Sequence, residues 1–272
     1  MLAGVIGWPI KHSRSPAIHN AAALATGVPL LYTIFPVRSG EAPRAIDSAR
    51  VLGLRGLSVT MPHKADVIPA LDELTPAAEA LGAVNHVTNE DGVMIGNNTD
   101  GDGFVRGFRH ETGRDLADQR IAVIGSGGAA RAIIEATARN GAAHIDVIAR
   151  SSDRAKVAAS VGHGRAYVAD HSALSEADVV VNSTSVGMAG TDQQDQVPFE
   201  VSLLGDSAVV VDIVYTPLAT PLLNAARSRG LVGVDGLAML AGQAAAQFET
   251  WTGEVPPLGA LIEAARKADA TT

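Results

Sequence analysis

The segment from Arg120 to Gly141 constrains the fold of this chain most strongly. It reads RIAVIGSGGAARAIIEATARNG, an apolar run followed by a glycine-rich turn and a helix-like stretch that Gly141 ends. HIDVIAR then supplies another apolar run, so the order is strand, helix, strand, which is typical of a parallel sheet. The turn has the form Gly-x-Gly-x-x-Ala, whose glycines permit a sharp bend and let a pyrophosphate approach the backbone. The sequence therefore predicts a dinucleotide site, with contacts from Gly125, Ser126, Gly127, Gly128 and Ala129.

The residues at the end of the following strand indicate which cofactor the chain binds. A site for NAD usually has an acidic residue about 20 residues after the glycines, where it holds the ribose hydroxyls. This chain has ARSSDR at 149–154 instead, and Asp146 falls too early in the strand. Arg150, Ser151 and Arg154 predict a charge-assisted cradle for a 2'-phosphate, which favours NADP. The alternative is that both arginines are solvated charges at the start of a helix.

The rest of the chain predicts an α/β protein of two domains. Short apolar runs alternate with helix-like stretches before residue 103, and later ADVVVNST and SAVVVDIVY form unbroken β-branched runs. Such runs are typical of a parallel sheet covered by helices on both faces. We expect an N-terminal α/β substrate domain of residues 1–103 plus 237–272. Residues 104–236 should form a doubly wound Rossmann-type NADP domain, with a cleft between the two domains.

Composition excludes several classes of site. The chain has no cysteine, which rules out disulfides, thiolate nucleophiles and cysteine-ligated metals, so redox chemistry would need a borrowed cofactor. The net charge of -8 disfavours nucleic acids and acidic membranes as partners. No apolar run approaches the roughly 20 residues of a membrane span, and the first residues lack the layout of a signal peptide. We expect a cytoplasmic monomer or homodimer that binds small molecules.

Four polar strings follow apolar runs in the first domain, which is where ligands bind in open α/β sheets. They are SRSP at 13–16, VTMPHK at 59–64, GAVN at 82–85 and NTDG at 98–101. Three more strings complete the pattern: NSTSVGM at 182–188, DIVYTP at 212–217 and MLAGQA at 239–244. In this order and almost from end to end, the chain resembles the shikimate dehydrogenase family. The resemblance implies NADPH-dependent, reversible reduction of 3-dehydroshikimate to shikimate, a step of chorismate and aromatic amino acid biosynthesis.

The resemblance also implies roles for individual residues. Lys64 and Asp100 are the implied catalytic pair, in which the lysine protonates the ketone oxygen or stabilises the alkoxide while the aspartate holds the lysine. Further substrate contacts are implied for Ser13, Ser15 and Tyr215 at a carboxylate, and for Thr60, Asn85 and Gln243 at ring hydroxyls. The backbone at Ile213 and Gly236 is implied beside the nicotinamide. No metal is implied.

Each role has a simpler alternative. Ser13 or Ser15 can cap a helix that begins at Pro16, and Lys64 with Asp100 can be a surface ion pair worth only ~0–1 kcal/mol. For the whole chain, the alternatives are a quinate/shikimate or aminoshikimate-type dehydrogenase and a non-catalytic nucleotide-binding relative. A methyltransferase would have an acidic residue at the end of the second strand, where this chain has Arg150.

Two departures and one set of histidines remain. Family members commonly have Asn where this chain has Ser58 and Ala149, so we expect altered support of the loop at Thr60 and a looser adenosine site. Histidines at positions 12, 19, 63 and 86 have no metal-binding spacing, and we expect them on the surface or just behind the site. Trp251 is expected to be a packing residue.

Overall fold

The chain folds into two units, each built around a six-stranded sheet. The computed structural model describes residues 1–268, so the last residues of the predicted substrate domain, 269–272, lie outside the described residues. The first unit contains Met1–Gly103 and the chain from Ala241 onward, and the second contains Phe104–Leu240. The predicted class, an N-terminal α/β domain followed by a Rossmann-type domain, is confirmed. The predicted return to the first domain after residue 236 and the observed return after residue 240 fall within the same helix.

The first unit has a mixed sheet flanked by helices. Its strands are β1 (Leu2–Gly7), β2 (Leu31–Pro36), β3 (Gly56–Val59), β4 (Glu73–Leu74), β5 (His86–Glu90) and β6 (Val93–Asn97), in the order β2-β1-β3-β5-β6-β4. Its helices are α1 (Ser15–Thr26), α2 (Ala42–Val51), α3 (Pro76–Leu81) and α9 (Leu258–Lys267), with a 3-10 turn at Ile68–Ala70. Two further helices, α4 (Asp100–Thr112) and α8 (Gly236–Thr252), contribute residues to both units.

A β-hairpin that the sequence analysis did not predict occupies the middle of this sheet. β5 pairs antiparallel with both β3 and β6, and Ser58, His86 and Asn97 lie in register across the three strands. The turn of the hairpin is Asp91-Gly92, with φ of 51° and 96°. Positive φ at both positions is typical of a two-residue hairpin turn. As a result, the end of β3, the start of β5 and the end of β6 meet at one edge of the sheet.

The second unit is a doubly wound parallel sheet. Its strands are β7 (Arg120–Ile124), β8 (His144–Ile148), β9 (Ala166–Val168), β10 (Val179–Asn182), β11 (Val209–Asp212) and β12 (Val232–Val234), in the order β12-β11-β10-β7-β8-β9. Its own helices are α5 (Gly128–Arg139), α6 (Ser152–Ala159) and α7 (Pro221–Ser228), with 3-10 turns at His171–Glu176 and Val201–Leu203. The strand order reverses between β7 and β10, which is where open α/β sheets bind ligands.

The valine-rich strands explain why this second sheet is covered on both faces. Val179 and Val181 of β10 pack into one apolar cluster with residues of α5, while Val180 between them packs into another with residues of α7. Side chains alternate across a strand, so every position of a strand that is buried on both faces favours an apolar residue. The continuous β-branched runs predicted this arrangement correctly. Within residues 1–268, no helix combines the length and the hydropathy of a membrane span.

Candidate functional site

The polar strings of the first unit meet at the sheet edge that the hairpin creates. Thr60 follows the end of β3 and Asn85 precedes β5. Asp100 begins α4 and is separated from the end of β6 by two residues. The amide of Val59 donates to the carbonyl oxygen of Asn85 at 2.8 Å, which joins the first two strings directly. The antiparallel hairpin therefore brings together residues that come from three different stretches of sequence.

Lys64 and Asp100 form an ion pair at this edge. Nζ of Lys64 donates to Oδ2 of Asp100 at 2.5 Å, and the two side chains are 32% and 14% exposed. Oδ1 of Asp100 accepts Nδ2 of Asn85 at 2.7 Å, and the backbone amide of Asp100 donates to Oδ1 of Asn98 at 3.1 Å. Both carboxylate oxygens and the backbone are held, so the pair is more tightly placed than an isolated surface ion pair.

Asn85 is buried and its amide has one possible orientation. Its Oδ1 accepts the backbone amide of Thr99 at 2.8 Å and the Thr99 hydroxyl at 3.2 Å. A backbone N–H can only donate, so Oδ1 must face Thr99 and Nδ2 must face Asp100. Nδ2 carries two hydrogens, and the bond to Asp100 uses one of them.

The two predicted serines lie at the start of α1. Ser13 precedes the helix, and Ser15 is its first residue and is buried. Oγ of Ser13 accepts the amide of Ser15 at 3.3 Å, whereas the N-cap residue is Arg14, which makes no side-chain capping bond. The capping alternative therefore fits Ser13 in part and does not fit Ser15. The hydroxyl of Ser15 lies within hydrogen-bonding reach of Tyr32 instead.

A buried hydrogen-bond chain that the sequence analysis missed connects Tyr32 to Gln243. The Tyr32 hydroxyl donates to Oγ of Ser58 at 2.6 Å, and Ser58 donates to Oε1 of Gln247 at 2.5 Å. Nε2 of Gln247 donates to Oε1 of Gln243 at 2.6 Å. Gln243 was predicted as a substrate contact, but Tyr32 and Gln247 were not predicted at all. The usable signal is the spacing of the two glutamines, because residues four apart share a helix face.

Of the four histidines expected on the surface or just behind the site, one is exposed and three are buried. His19, His63 and His86 are at most 1% exposed, and only His12 is exposed as expected. Nε2 of His63 bonds the carbonyl oxygen of Val37 at 2.8 Å. The remaining two belong to an apolar region where an uncharged imidazole can pack as an aromatic ring.

An aromatic cluster of His19, Tyr32, His86 and Trp251 lies behind the hydrogen-bond chain. The rings of His19 and Tyr32 stack with centroids 4.1 Å apart, and His86 meets Trp251 edge-on at 5.1 Å. Burial is the main cause that lowers the pKa of His19 to about 3, with a smaller contribution from the neighbouring His86. Burial also lowers the pKa of His86 to about 3, with a contribution from the Arg55 guanidinium. The expected packing role of Trp251 is confirmed, since it is 1% exposed.

In the second unit, the glycine-rich turn connects β7 to α5. Gly125 has φ of 119°, and a Cβ there would lie 2.5 Å from Oγ of Ser183, so only glycine fits. Gly127 is the N-cap of α5 and cannot cap it with a side chain, so the first amides of the helix can receive an anion. The turn therefore fits a pyrophosphate, and its predicted residues lie from the end of β7 through the first turn of α5: Gly125, Ser126, Gly127, Gly128 and Ala129.

The end of β8 carries the two predicted arginines. Arg150 and Arg154 are exposed, and in the part of the chain that the structure describes neither side chain forms a hydrogen bond or ion pair. Oγ of Ser151 accepts the amide of Arg154 at 3.4 Å and so caps α6. Asp146 is buried inside β8, where it bonds Arg120 and His144 at 3.0 Å each. Asp146 is therefore bonded to other residues within the strand. It does not lie at the strand end, where an NAD site would need an acidic residue.

The end of β11 brings together the two residues predicted beside the nicotinamide. A Cβ at Gly236 would lie 2.2 Å from the carbonyl oxygen of Ile213, so the start of α8 contacts this backbone closely. Asp212, buried just before, accepts the Thr220 hydroxyl at 2.7 Å, and burial raises the pKa of its carboxyl. Tyr215 follows in the same loop and is 39% exposed.

Comparison with known proteins decides the family. Residues 5–87 match the model of the shikimate dehydrogenase substrate binding domain, and residues 109–235 match that of shikimate / quinate 5-dehydrogenase. Residues 236–266 match the shikimate 5'-dehydrogenase C-terminal domain. The chain belongs to the shikimate dehydrogenase family. The resemblance seen in the sequence is thereby confirmed.

Individual family members align over nearly the full chain. The shikimate dehydrogenase (NADP(+)) of Citrifermentans bemidjiense is 40% identical and covers 97% of this chain and 93% of its own length. The solved shikimate 5-dehydrogenase of Thermus thermophilus, in complex with NADP(H) and shikimate, has a TM-score of 0.89 at 34% identity, with 98% and 99% of the chains covered. Quinate dehydrogenase from Corynebacterium glutamicum, in complex with NAD, has a TM-score of 0.88 at 34% identity, with 98% and 99% covered.

Two positions depart from the pattern that is common in this family, and the structure shows what surrounds each of them. Ser58 is buried inside the first unit, where its hydroxyl forms hydrogen bonds with Tyr32 and Gln247. Ala149 is half-buried at the end of β8 and offers only a methyl group next to Arg150. An amide of α8, that of Gln247, therefore bonds the side chain at position 58, while the side chain at position 149 can form no hydrogen bond.

Proposed function

We propose that this chain is an NADP-dependent shikimate dehydrogenase. It reduces 3-dehydroshikimate reversibly to shikimate with NADPH, in chorismate and aromatic amino acid biosynthesis. The observation that carries the proposal is the Lys64–Asp100 pair with Asn85 on the second carboxylate oxygen, in a member of this family. We further propose that the enzyme acts in the cytoplasm as a monomer or homodimer, and that it binds neither nucleic acid nor membranes.

The pair accounts for the proton that ketone reduction requires. The reduced nicotinamide supplies a hydride to the carbonyl carbon when it is bound. Lys64 would give a proton to the oxygen as charge develops there, and in the reverse direction it would take the proton from the hydroxyl. Such help is typically worth ~10²–10⁴ in rate. Asp100 holds Nζ of Lys64 through one oxygen, and its own position is fixed through the other by Asn85.

The remaining predicted residues have separate tasks in this proposal. The hydroxyls of Ser13 and Ser15 at the start of α1 would hold the carboxylate, where the helix dipole favours a negative charge, and Tyr215 would add a third hydroxyl. Thr60, Gln243 and the second hydrogen on Nδ2 of Asn85 would bond ring hydroxyls. These side chains select the ring and set its orientation toward Lys64.

The cofactor would be held by the second unit. The turn at Gly125–Ala129 would hold the pyrophosphate, Arg150, Ser151 and Arg154 the 2'-phosphate, and the backbone of Ile213 and Gly236 the nicotinamide. Two exposed guanidiniums without partners among residues 1–268 support a phosphate at this position. We propose domain limits of 1–103 plus 237–272 for the substrate and 104–236 for NADP.

Steady-state kinetics of the purified protein test the proposal. The absorbance of reduced nicotinamide is followed while the protein oxidises shikimate or quinate with NADP or NAD. We expect turnover of shikimate with NADP, and we expect Lys64→Ala to lower kcat by about 10² or more. Lys267→Ala, which removes an exposed lysine paired with Glu263, is the matched control and should leave kcat unchanged.

The same assay addresses the second candidate, a quinate dehydrogenase that uses NAD. Its specific support is Ala149, which offers no hydrogen bond at the adenosine end of the cofactor site, and the similar quinate dehydrogenase fold. Preference for quinate and NAD would replace our substrate and cofactor but keep the catalytic pair. Absence of turnover with every combination would refute the proposal and favour a nucleotide-binding protein without catalysis.

A further inference from the structure

Gln247 is a buried side chain of the first unit with four hydrogen bonds, and the proposed function does not use it. It is fully buried in α8, one turn after Gln243. Its Nε2 lies 2.6 Å from Oε1 of Gln243, 3.2 Å from Oγ1 of Thr99 and 3.3 Å from the carbonyl oxygen of Asn85. Its Oε1 accepts the hydroxyl of Ser58 at 2.5 Å. One amide thus touches a predicted substrate residue, the backbone of Asn85, which holds Asp100, and Thr99, which holds the side chain of Asn85.

The hydrogen bonds around Gln247 determine which way its amide faces. The backbone carbonyl oxygen of Asn85 can only accept, so the Gln247 atom that lies 3.3 Å from it is Nε2. Oε1 of Gln247 then faces Ser58, whose hydroxyl donates to it. With its oxygen facing Ser58, Gln247 presents Nε2, a donor, to Gln243.

The orientation of Gln243 follows from that of Gln247. Oε1 of Gln243 accepts the bond from Gln247, because two NH₂ groups only 2.6 Å apart would point their hydrogens at each other. The other polar atom of the Gln243 amide is then its NH₂ group, which can only donate. Reversing the amide of Gln243 would break a buried bond, so the preference is built into the protein before any ligand arrives.

We propose that Gln247 is a positioning residue, which together with Tyr32 and Ser58 fixes Gln243 as a hydrogen-bond donor toward the substrate. The inference rests on the proposed function. It assigns the chemistry of one contact: the substrate atom that meets Gln243 is an oxygen that accepts a hydrogen bond, such as a ring hydroxyl oxygen. It also gives Ser58 a role. The Ser58 hydroxyl accepts a hydrogen bond from Tyr32 and donates one to Gln247 of α8.

A double-mutant cycle in the full-length protein tests this inference. Gln247→Met keeps the length of the side chain and removes its hydrogen bonds. We expect KM for shikimate to rise about three- to tenfold, the size of one lost hydrogen bond, with kcat within about twofold and KM for NADP unchanged. In a Gln243→Ala background, the same substitution should change KM by less than about twofold, because the group that it positions is absent.

Controls separate this role from a loss of stability. Thr137→Val removes another buried hydroxyl, one that bonds only the carbonyls of its own helix in the second unit, and should leave both KM values unchanged. If Gln247→Met does not fold, Ser58→Ala replaces it in the cycle, with the same criterion. An unchanged KM in the single variant, or an equal rise with and without Gln243, overturns the inference alone. A wild-type protein that does not turn over shikimate overturns the proposed function, and this inference with it.

Discussion

Acid should destabilise the first unit through the two imidazoles of the aromatic cluster. His19 and His86 are buried, and both have a pKa lowered from 6.5 to about 3. Above pH 6.5 neither imidazole carries a proton in the folded or the unfolded chain, so neither affects the free energy of unfolding. Below pH 6.5 the unfolded chain takes up protons that the folded chain does not. Stability is therefore lost as the pH falls from 6.5 towards 3.

The size of this loss follows from the two pKa values. At about pH 5, roughly 1.5 units below the unfolded pKa, each imidazole lowers the free energy of unfolding by about 2 kcal/mol, at 1.36 kcal/mol per unit. Two imidazoles give about 4 kcal/mol, a large share of the 5–15 kcal/mol that stabilises a typical domain. His19→Phe removes one titrating group and keeps an aromatic ring against Tyr32 and Trp251. We expect the loss between about pH 7.5 and about pH 5 to shrink by about 2 kcal/mol in this variant.

Urea denaturation at the two pH values measures the effect, with the fluorescence of buried Trp251 reporting on the first unit. Any cost of fitting the larger ring is present at both pH values and cancels in the difference. His110→Gln, at an exposed position on α4, is the control and should leave the pH-dependent loss as it is in the wild type. If His19→Phe also leaves that loss unchanged, His19 takes up its proton in the folded protein, and the reasoning from burial is wrong.

Two further predictions concern the cofactor. Arg150→Ala combined with Arg154→Ala should raise KM for NADP by about 10-fold to 100-fold and leave KM for NAD within about twofold, since only NADP carries the phosphate, and initial rates with both cofactors measure this. An equal rise for NAD would contradict the assignment of the two arginines. Gly125→Ala should lower the melting temperature of the second unit and weaken NADP binding by calorimetry, because φ of 119° costs about 1–3 kcal/mol for a residue with a Cβ and Ser183 blocks that Cβ. Unchanged binding and melting would show that the turn relaxes without cost.

The second unit was predictable because its signals are local. The apolar run, the turn at Gly125 and the helix up to Arg139 follow each other without interruption. Each of these elements can be predicted from its own residues alone. The valine runs of β10 and β11 show burial on both faces for the same reason. The places of Arg150 and Arg154 could be predicted in the same way, because the end of the second strand lies about 20 residues after the glycine-rich turn.

The first unit was less predictable because its site depends on pairing between distant strands. The alternation of strands and helices predicted α/β order, but nothing in HVTNE or VMIGN alone shows that β5 runs antiparallel to β3. The available signal was Asp91-Gly92, a pair typical of hairpin turns, between two strand-like runs. Burial of His19 and His86 was unpredictable for a related reason, since the tryptophan that covers them lies more than 150 residues further along the chain than either His86 or His19.

The hydrogen-bond chain from Tyr32 to Gln243 also constrains how this enzyme can evolve. Each hydroxyl and amide in it is the donor or acceptor that its neighbour requires, so a change at position 32, 58 or 247 alone leaves a buried polar atom without its bond. Such single steps pass through a less stable protein, whereas a concerted exchange does not. We therefore expect substitutions at these three positions to occur together among descendants of this sequence, and a variant changed at one of them should regain stability when the other two are changed to match.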